Sequence, residues 1–448
     1  MAFTPDPELG KHAHALDRAH VFHSWSAQAA LNPMDIAGGE GSYVWDFDGK
    51  RYLDFSSQLV NVNIGHQHPK VVKAIQEQAA LLATVAPQHA NLARGEAAKR
   101  ITDLAPAGMN KVFFTNGGAD ANENAIRMAR VHTGRSKCLS FYRSYHGNTG
   151  AAINATGDQR RWPNEFAEGH VHFFGPFLYR SEFWATSEAE ESERALHHLE
   201  SLIRFEGPAT IACILIETIV GTGGILVPPP GYLEGVRALC DKYGIVLILD
   251  EVMAGFARTG KWFAFEHFNV TPDLITFAKG SNSGYVPVGG VVISDEIAAT
   301  FDDRVFPGGL TYSGHPLATA SIVASIDAMK EEGVVENAAS IGADVLEPGL
   351  AELKDRHPLV GDVRGIGVFW ALDLVTDRAT KAPLADYPGT SPAMGELVGE
   401  LKARGYLPFT AVNRLHVVPP CTVSAAEAQE GLAIIDEVLT VLDKHYVG

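Results

Sequence analysis

Between Val112 and Ser294 the chain alternates short, wholly apolar runs with longer amphipathic segments. A strand can be apolar at every position only if both of its faces are covered, and helices packed on a parallel sheet provide that cover. The runs are Val112–Phe114, Cys138–Phe141, Ile211–Ile216, Ile245–Leu249 and Leu274–Ala278. Between the third and fourth, Tyr232–Cys240 has helical spacing, and Lys242-Tyr243-Gly244 supplies a last-turn cation and a stop. The pattern predicts an α/β fold: a large domain with a mostly parallel sheet covered by helices.

The 448 residues exceed what one core usually organises. After Pro316 the pattern changes to helical stretches, Leu317–Lys330 and Val335–Leu353. Strand-like pieces follow at Gly367–Leu374 and Leu415–Val418, then an amphipathic helix, Ala425–Lys444. The stretch 43–53 reads as a hairpin turning at Asp48-Gly49. The expected division is an N-terminal segment, 1–60, packing on a smaller C-terminal α+β domain, 321–448, with the large domain at 61–320.

Thirty-six basic against 53 acidic residues leave a net charge of −17, which repels nucleic acid and anionic membrane surfaces. The first twenty residues hold no apolar stretch of signal-peptide length, and no later run approaches a membrane span, so cytoplasmic residence is expected. Cys138, Cys213, Cys240 and Cys421 form no C-x-x-C pair and read as buried free thiols; no metal site is expected.

In open parallel sheets ligands bind beyond the carboxyl ends of the strands. There this chain places Gly117-Gly118-Ala119, Tyr145-His146-Gly147, Glu217, Asp250-Glu251 and Lys279. An aspartate and a lysine at neighbouring strand ends suit pyridoxal phosphate. The lysine amine must be neutral to attack the cofactor aldehyde, and desolvation favours the neutral form. The aspartate would keep the pyridine nitrogen protonated, so that the ring accepts the electrons released at the substrate's Cα. Gly117-Gly118-Ala119 opens a helical pattern whose backbone N–H groups would meet a phosphate, although Gly-Gly before a helix also reads as a tight turn. Tyr145 and Val252 would cover the two ring faces, or simply pack in the core. Lys279 alone also reads as a surface or salt-bridged lysine.

The runs Ile248–Gly260, containing Asp250-Glu251-Val252, and Pro272–Gly280, ending in Lys279-Gly280, resemble the signature of class III aminotransferases, the group of the omega-amino-acid–pyruvate transaminases. The resemblance covers nearly the whole chain and implies a fold-type I homodimer with active sites at the subunit boundary. It implies Lys279 as the Schiff-base lysine, Asp250 as the pyridinium partner, and Tyr145 and Val252 as ring covers. Gly117, Gly118 and Ala119 would form the phosphate cup, with His146 in the cofactor site and Glu217 near the cofactor's hydroxyl edge. Thr311 would reach the phosphate in the neighbouring subunit, Arg414 would receive a substrate carboxylate, and Trp25 and Val60 would line the substrate pocket. The implied reaction carries an amino group from a primary amine or omega-amino acid to a keto acid, pyruvate or 2-oxoglutarate, by a ping-pong route. An aminomutase, epimerase or decarboxylase of the same fold is the alternative.

Three positions depart from the family pattern. Gly117-Gly118-Ala119 replaces the frequent Ser-Gly-Ser, Thr218 follows Glu217 where proline is common, and Val60 stands where many relatives have tryptophan. A larger pocket is expected from the last.

Overall fold

The computed structural model describes residues 4–164 and 167–448; residues 1–3, the start of the expected N-terminal segment, lie outside the described residues. Near the N-terminus, β1 (Ile36–Glu40), β2 (Tyr43–Asp46) and β3 (Arg51–Asp54) form an antiparallel meander. The turn between β2 and β3 contains Asp48-Gly49, as expected, with Gly49 at φ +87°.

The central sheet contains β4 (Lys111–Thr115), β5 (Lys137–Phe141), β6 (His170–Phe173), β7 (Ile211–Glu217), β8 (Val246–Asp250), β9 (Leu274–Phe277) and β10 (Gly289–Ile293). Their order is β4-β10-β9-β8-β7-β5-β6. Pairing is parallel from β6 to β9, and β10 runs antiparallel to both β9 and β4. The five apolar runs are all strands; β6 and β10 complete the sheet. Every residue of β7 and β8 is buried, and each fully buried Ile or Leu contributes roughly 1.5–3 kcal/mol relative to exposure. The helix Tyr232–Tyr243, packed on β8, stops at Gly244, whose φ of +60° suits the left-handed C-cap.

The C-terminal third begins with the helix Pro316–Glu331. It continues through β11 (Val360–Ile366), β12 (Phe369–Asp377), β13 (Ala382–Pro383), β14 (Tyr406–Leu407), β15 (Phe409–Ala411) and β16 (Arg414–Val417). β14 pairs in parallel with β3, so the N-terminal meander is continued by the C-terminal third. The helix expected over Val335–Leu353 is interrupted: Val334–Ile341 and Glu347–Arg356 flank a π-turn at Gly342–Leu346. Pro348 has no N–H for a regular ladder, and a side chain at Gly342 would strike the Gly367 carbonyl, 2.4 Å away. The last helix, Ala425–Leu442, starts with reciprocal Ser424 and Glu427 caps.

All four cysteines are buried free thiols, with Cys138 opposite Cys213 across β5 and β7. Among the described residues no helix is long and apolar enough to cross a membrane.

Candidate active site

The parallel register carries the chemistry to one edge of the sheet. Glu217 ends β7 opposite Asp250, which ends β8 opposite Thr276 of β9, and Lys279 follows two residues beyond β9. Lys279 has φ +38°, in the left-handed region that side-chain-bearing residues seldom occupy, and such strain is held only where surrounding structure enforces it. Its neighbour Gly280 lies against Asn63, where a Cβ would come within 2.2 Å of Nδ2.

Lys279 lines a cleft of about 880 Å³, and its amine has no hydrogen-bond or ion-pair partner among the described residues. Burial lowers the affinity of this amine for its proton, against the opposing pull of Asp250 and Glu217, with Arg160 assisting. An amine biased toward its neutral form is a nucleophile and a proton carrier.

Asp250 is buried and held from three directions. Its Oδ2 accepts from Asn122 Nδ2 at 2.7 Å and from His146 Nδ1 at 2.8 Å, while Oδ1 accepts from the Val252 amide at 3.0 Å. A carboxylate has about four lone-pair sites, so it retains capacity for a protonated ring nitrogen. Glu217 accepts from the Tyr145 amide at 2.9 Å and the Gly221 amide at 2.8 Å, and burial raises its pKa against the pull of His146.

Gly117 precedes the helix Gly118–Thr133, and the space where its Cβ would stand is open. At Gly118 a Cβ would meet Val252 Cγ1 at 2.8 Å, so Val252 lies across the start of that helix. Gly147, at φ +131°, brings the Tyr145-His146 turn against Ala119. An open helix N-terminus at Gly117-Gly118, a lysine with an unengaged amine and an anchored carboxylate fit a phosphorylated pyridine aldehyde.

Tyr145 carries the Arg160 guanidinium over its ring, 3.6 Å from the centroid, and the Trp25 ring edge-on at 6.5 Å. Trp25 lines the cleft. Arg143, Arg160, Arg161, Arg180 and Arg414 also line it. Arg160 is paired with Asp158, Arg143 with Glu182 at 3.2 Å and Arg180 with Asp373 at 2.8 Å; Arg161 bonds His172. Arg414, at the start of β16, makes no ion pair among the described residues; its Nη2 donates weakly to the Thr222 carbonyl at 3.4 Å and its buried Nε has no partner. Burial and the adjacent Arg364 push its pKa down to about 10, still charged at neutral pH.

One expected residue is placed elsewhere. Val60 is 1% exposed and packs with Ile219, Ile225 and Phe369, whereas Leu59, 49% exposed, forms the cleft wall. The reason is a kink: Ser57, Gln58 and Val60 all have positive φ, which turns Val60 inward and Leu59 toward the cleft. Thr311 is exposed in the segment before Pro316 and does not line this cleft. The residues missed in the sequence are Asn122, the cleft arginines other than Arg414, and Leu59. Asn122 carried one signal: it lies four residues after Gly118, on the same face of the helix.

The aminotransferase class-III family model matches residues 25–439. The taurine–pyruvate aminotransferase of Bilophila wadsworthia is 34% identical, with 96% of this chain and 98% of that protein aligned. The putrescine–pyruvate aminotransferase of Pseudomonas aeruginosa is 35% identical over 96% of this chain and 94% of its own length. The structure of a taurine:2-oxoglutarate aminotransferase from Bifidobacterium kashiwanohense, in complex with pyridoxal phosphate and glutamate, superposes with a TM-score of 0.95 at 43% identity, covering 99% of both chains. The chain therefore belongs to the class III aminotransferases, pyridoxal-phosphate-dependent enzymes of fold type I that move an amino group from an amine to a keto acid.

Proposed function

We propose that the amino donor is an omega-amino acid with an anionic far end, a carboxylate or sulfonate, and that the acceptor is pyruvate. The observation that carries this is charge: five guanidinium groups line the Lys279 cleft of a chain whose net charge is −17. Planar guanidinium groups hold carboxylate and sulfonate oxygens through paired hydrogen bonds. The names of the taurine–pyruvate and putrescine–pyruvate relatives support pyruvate as acceptor.

In this reading Lys279 is the covalent attachment point and, once released, holds the proton that moves from the substrate's Cα. Asp250 meets the ring nitrogen with His146 behind it, Glu217 lies near the hydroxyl edge, and Tyr145 and Val252 cover the faces. Gly117, Gly118 and Ala119 take the phosphate, joined by Thr311 of a second copy in a homodimer, which accounts for the exposure of Thr311. Arg414 receives the acceptor's carboxylate, and Trp25 and Leu59 form the wall. When bound, pyridoxal phosphate supplies an electron sink for the carbanion formed at Cα. The division at 1–60, 61–320 and 321–448 and residence in the cytoplasm belong to the same reading.

The experiment is a half-reaction screen. The cofactor-loaded protein is mixed with taurine, β-alanine, putrescine and an apolar amine without acceptor, and bleaching of the visible absorption is followed. Pyruvate or 2-oxoglutarate is then added to restore it. Faster bleaching by the anionic donors and restoration by pyruvate are expected. Equal or greater reactivity of putrescine and the apolar amine would overturn the donor assignment, and restoration by 2-oxoglutarate alone would overturn the acceptor.

A further inference from the structure

Beneath the cleft, Asn122 is 1% exposed and has both ends of its amide engaged. Nδ2 donates to Asp250 Oδ2 at 2.7 Å and to the His146 carbonyl at 2.8 Å, while Oδ1 accepts from the Thr276 hydroxyl at 2.7 Å. The orientation of the amide follows from these partners. Reversed, its oxygen would face a carboxylate and a carbonyl, neither of which can donate. Asn122 thus ties the carboxylate of β8, the Tyr145-His146 turn and, through Thr276, the strand β9 that leads to Lys279. It also sits one helical turn after Gly118, so one rigid helix reaches both the open N-terminus at Gly117-Gly118 and Asp250.

We infer that Asn122 is a positioning residue that fixes the Asp250 carboxylate in its ring-facing orientation and thereby keeps the cofactor's ring nitrogen protonated. With Asn122 absent, Oδ2 would keep His146 alone, and the buried carboxylate would be freer to rotate. The inference rests on the reading that Asp250 meets the ring nitrogen.

The test reads the nitrogen itself. The protein is loaded with pyridoxal phosphate carrying 15N in the ring, and the nitrogen's protonation is followed by solid-state magnetic resonance against pH in wild type, Asp250→Asn, Asn122→Ala and Thr276→Val. Wild type is expected to stay protonated, and Asp250→Asn to lose the protonated signal. Asn122→Ala should titrate lower by about one pKa unit or more, with kcat falling about tenfold or more and KM little changed. Thr276→Val, which only frees the amide to rotate, should shift in the same direction by less. An unchanged nitrogen titration in Asn122→Ala that binds cofactor normally would overturn the inference. If that variant does not fold, Thr276→Val decides, and an unchanged titration there overturns it. A protonated nitrogen that persists in Asp250→Asn would instead overturn the assignment of Asp250, a separate result.

Discussion

The Asp250 carboxylate and the His146 imidazole meet at 2.8 Å through Oδ2 and Nδ1, with side chains 3% and 0% exposed. An ionised carboxylate only accepts, so Nδ1 carries the proton. Burial opposes protonation of the ring, but the hydrogen bond to Asp250 and its charge prevail and raise the His146 pKa. The Asp250 carboxylate is therefore held at the sheet edge against a donor whose protonated form it favours. Asp250→Asn keeps the shape and removes the charge. It is expected to lower kcat by about 10²–10³-fold, as loss of a preorganised electrostatic partner does, in steady-state assays with the fold intact by circular dichroism. An unchanged kcat would exclude Asp250 from the chemistry.

Lys279→Ala removes both the attachment point and the proton carrier. Borohydride reduction followed by mass spectrometry should show the cofactor's mass on the wild-type chain and none on the variant. Turnover should fall by at least about 10²–10⁴-fold, the usual worth of a positioned acid–base group. A persistent adduct would mean that another amine does this work.

The strand ends were legible in the sequence because β7, β8 and β9 are covered on both faces, leaving apolar runs that stop at a polar residue. Glu217, Asp250 and Lys279 could be read from that break alone. Asn122 could not, since a buried clamp and a polar residue early in a helix look the same along a chain. The other cleft arginines were hidden differently: Arg143, the adjacent Arg160 and Arg161, and Arg180 come from separate segments that only the tertiary fold assembles. Leu59 and Val60 were exchanged by backbone kinking, which hydrophobic periodicity does not encode.

The lowered pKa of Lys279 has a consequence for the cofactor-free protein. Between the depressed folded value and the ordinary 10.5, the unfolded chain binds more protons at this site than the folded chain. Its contribution to unfolding free energy therefore rises with pH across that window. Lys279→Met, which removes the titration, should be more thermostable than wild type at neutral pH, both without cofactor. The gap should narrow as pH approaches 10.5. Scanning calorimetry against pH would show it, and a pH-independent gap would contradict the burial of a neutral amine.

Arg414 makes no ion pair among the described residues, so it is ready to accept an anion without first breaking a bond to a protein carboxylate. Arg414→Gln should raise KM for pyruvate by about 10–150-fold, the worth of a hydrogen bond to a charged group of about 1.5–3 kcal/mol. The half-reaction with an apolar amine should be almost unchanged. Equal losses in both halves, measured by single-turnover absorbance, would point to a structural role instead.

Leu59 and Val60 give opposite outcomes for neighbouring substitutions. Leu59 faces the cleft at 49% exposure, so Leu59→Ala should enlarge the wall and raise the rate with a bulky amine relative to a small one, with little change in melting temperature. Val60 is enclosed by Ile219, Ile225 and Phe369. Val60→Trp would force a large ring into a filled site, costing about 1–3 kcal/mol or more by overpacking. Its effect on the bulky-to-small ratio should then be indirect and smaller than that of Leu59→Ala. If Val60→Trp instead shifted the ratio strongly while leaving denaturant midpoints untouched, Val60 would have to face the substrate, and the inward turn of the 57–60 kink would be wrong.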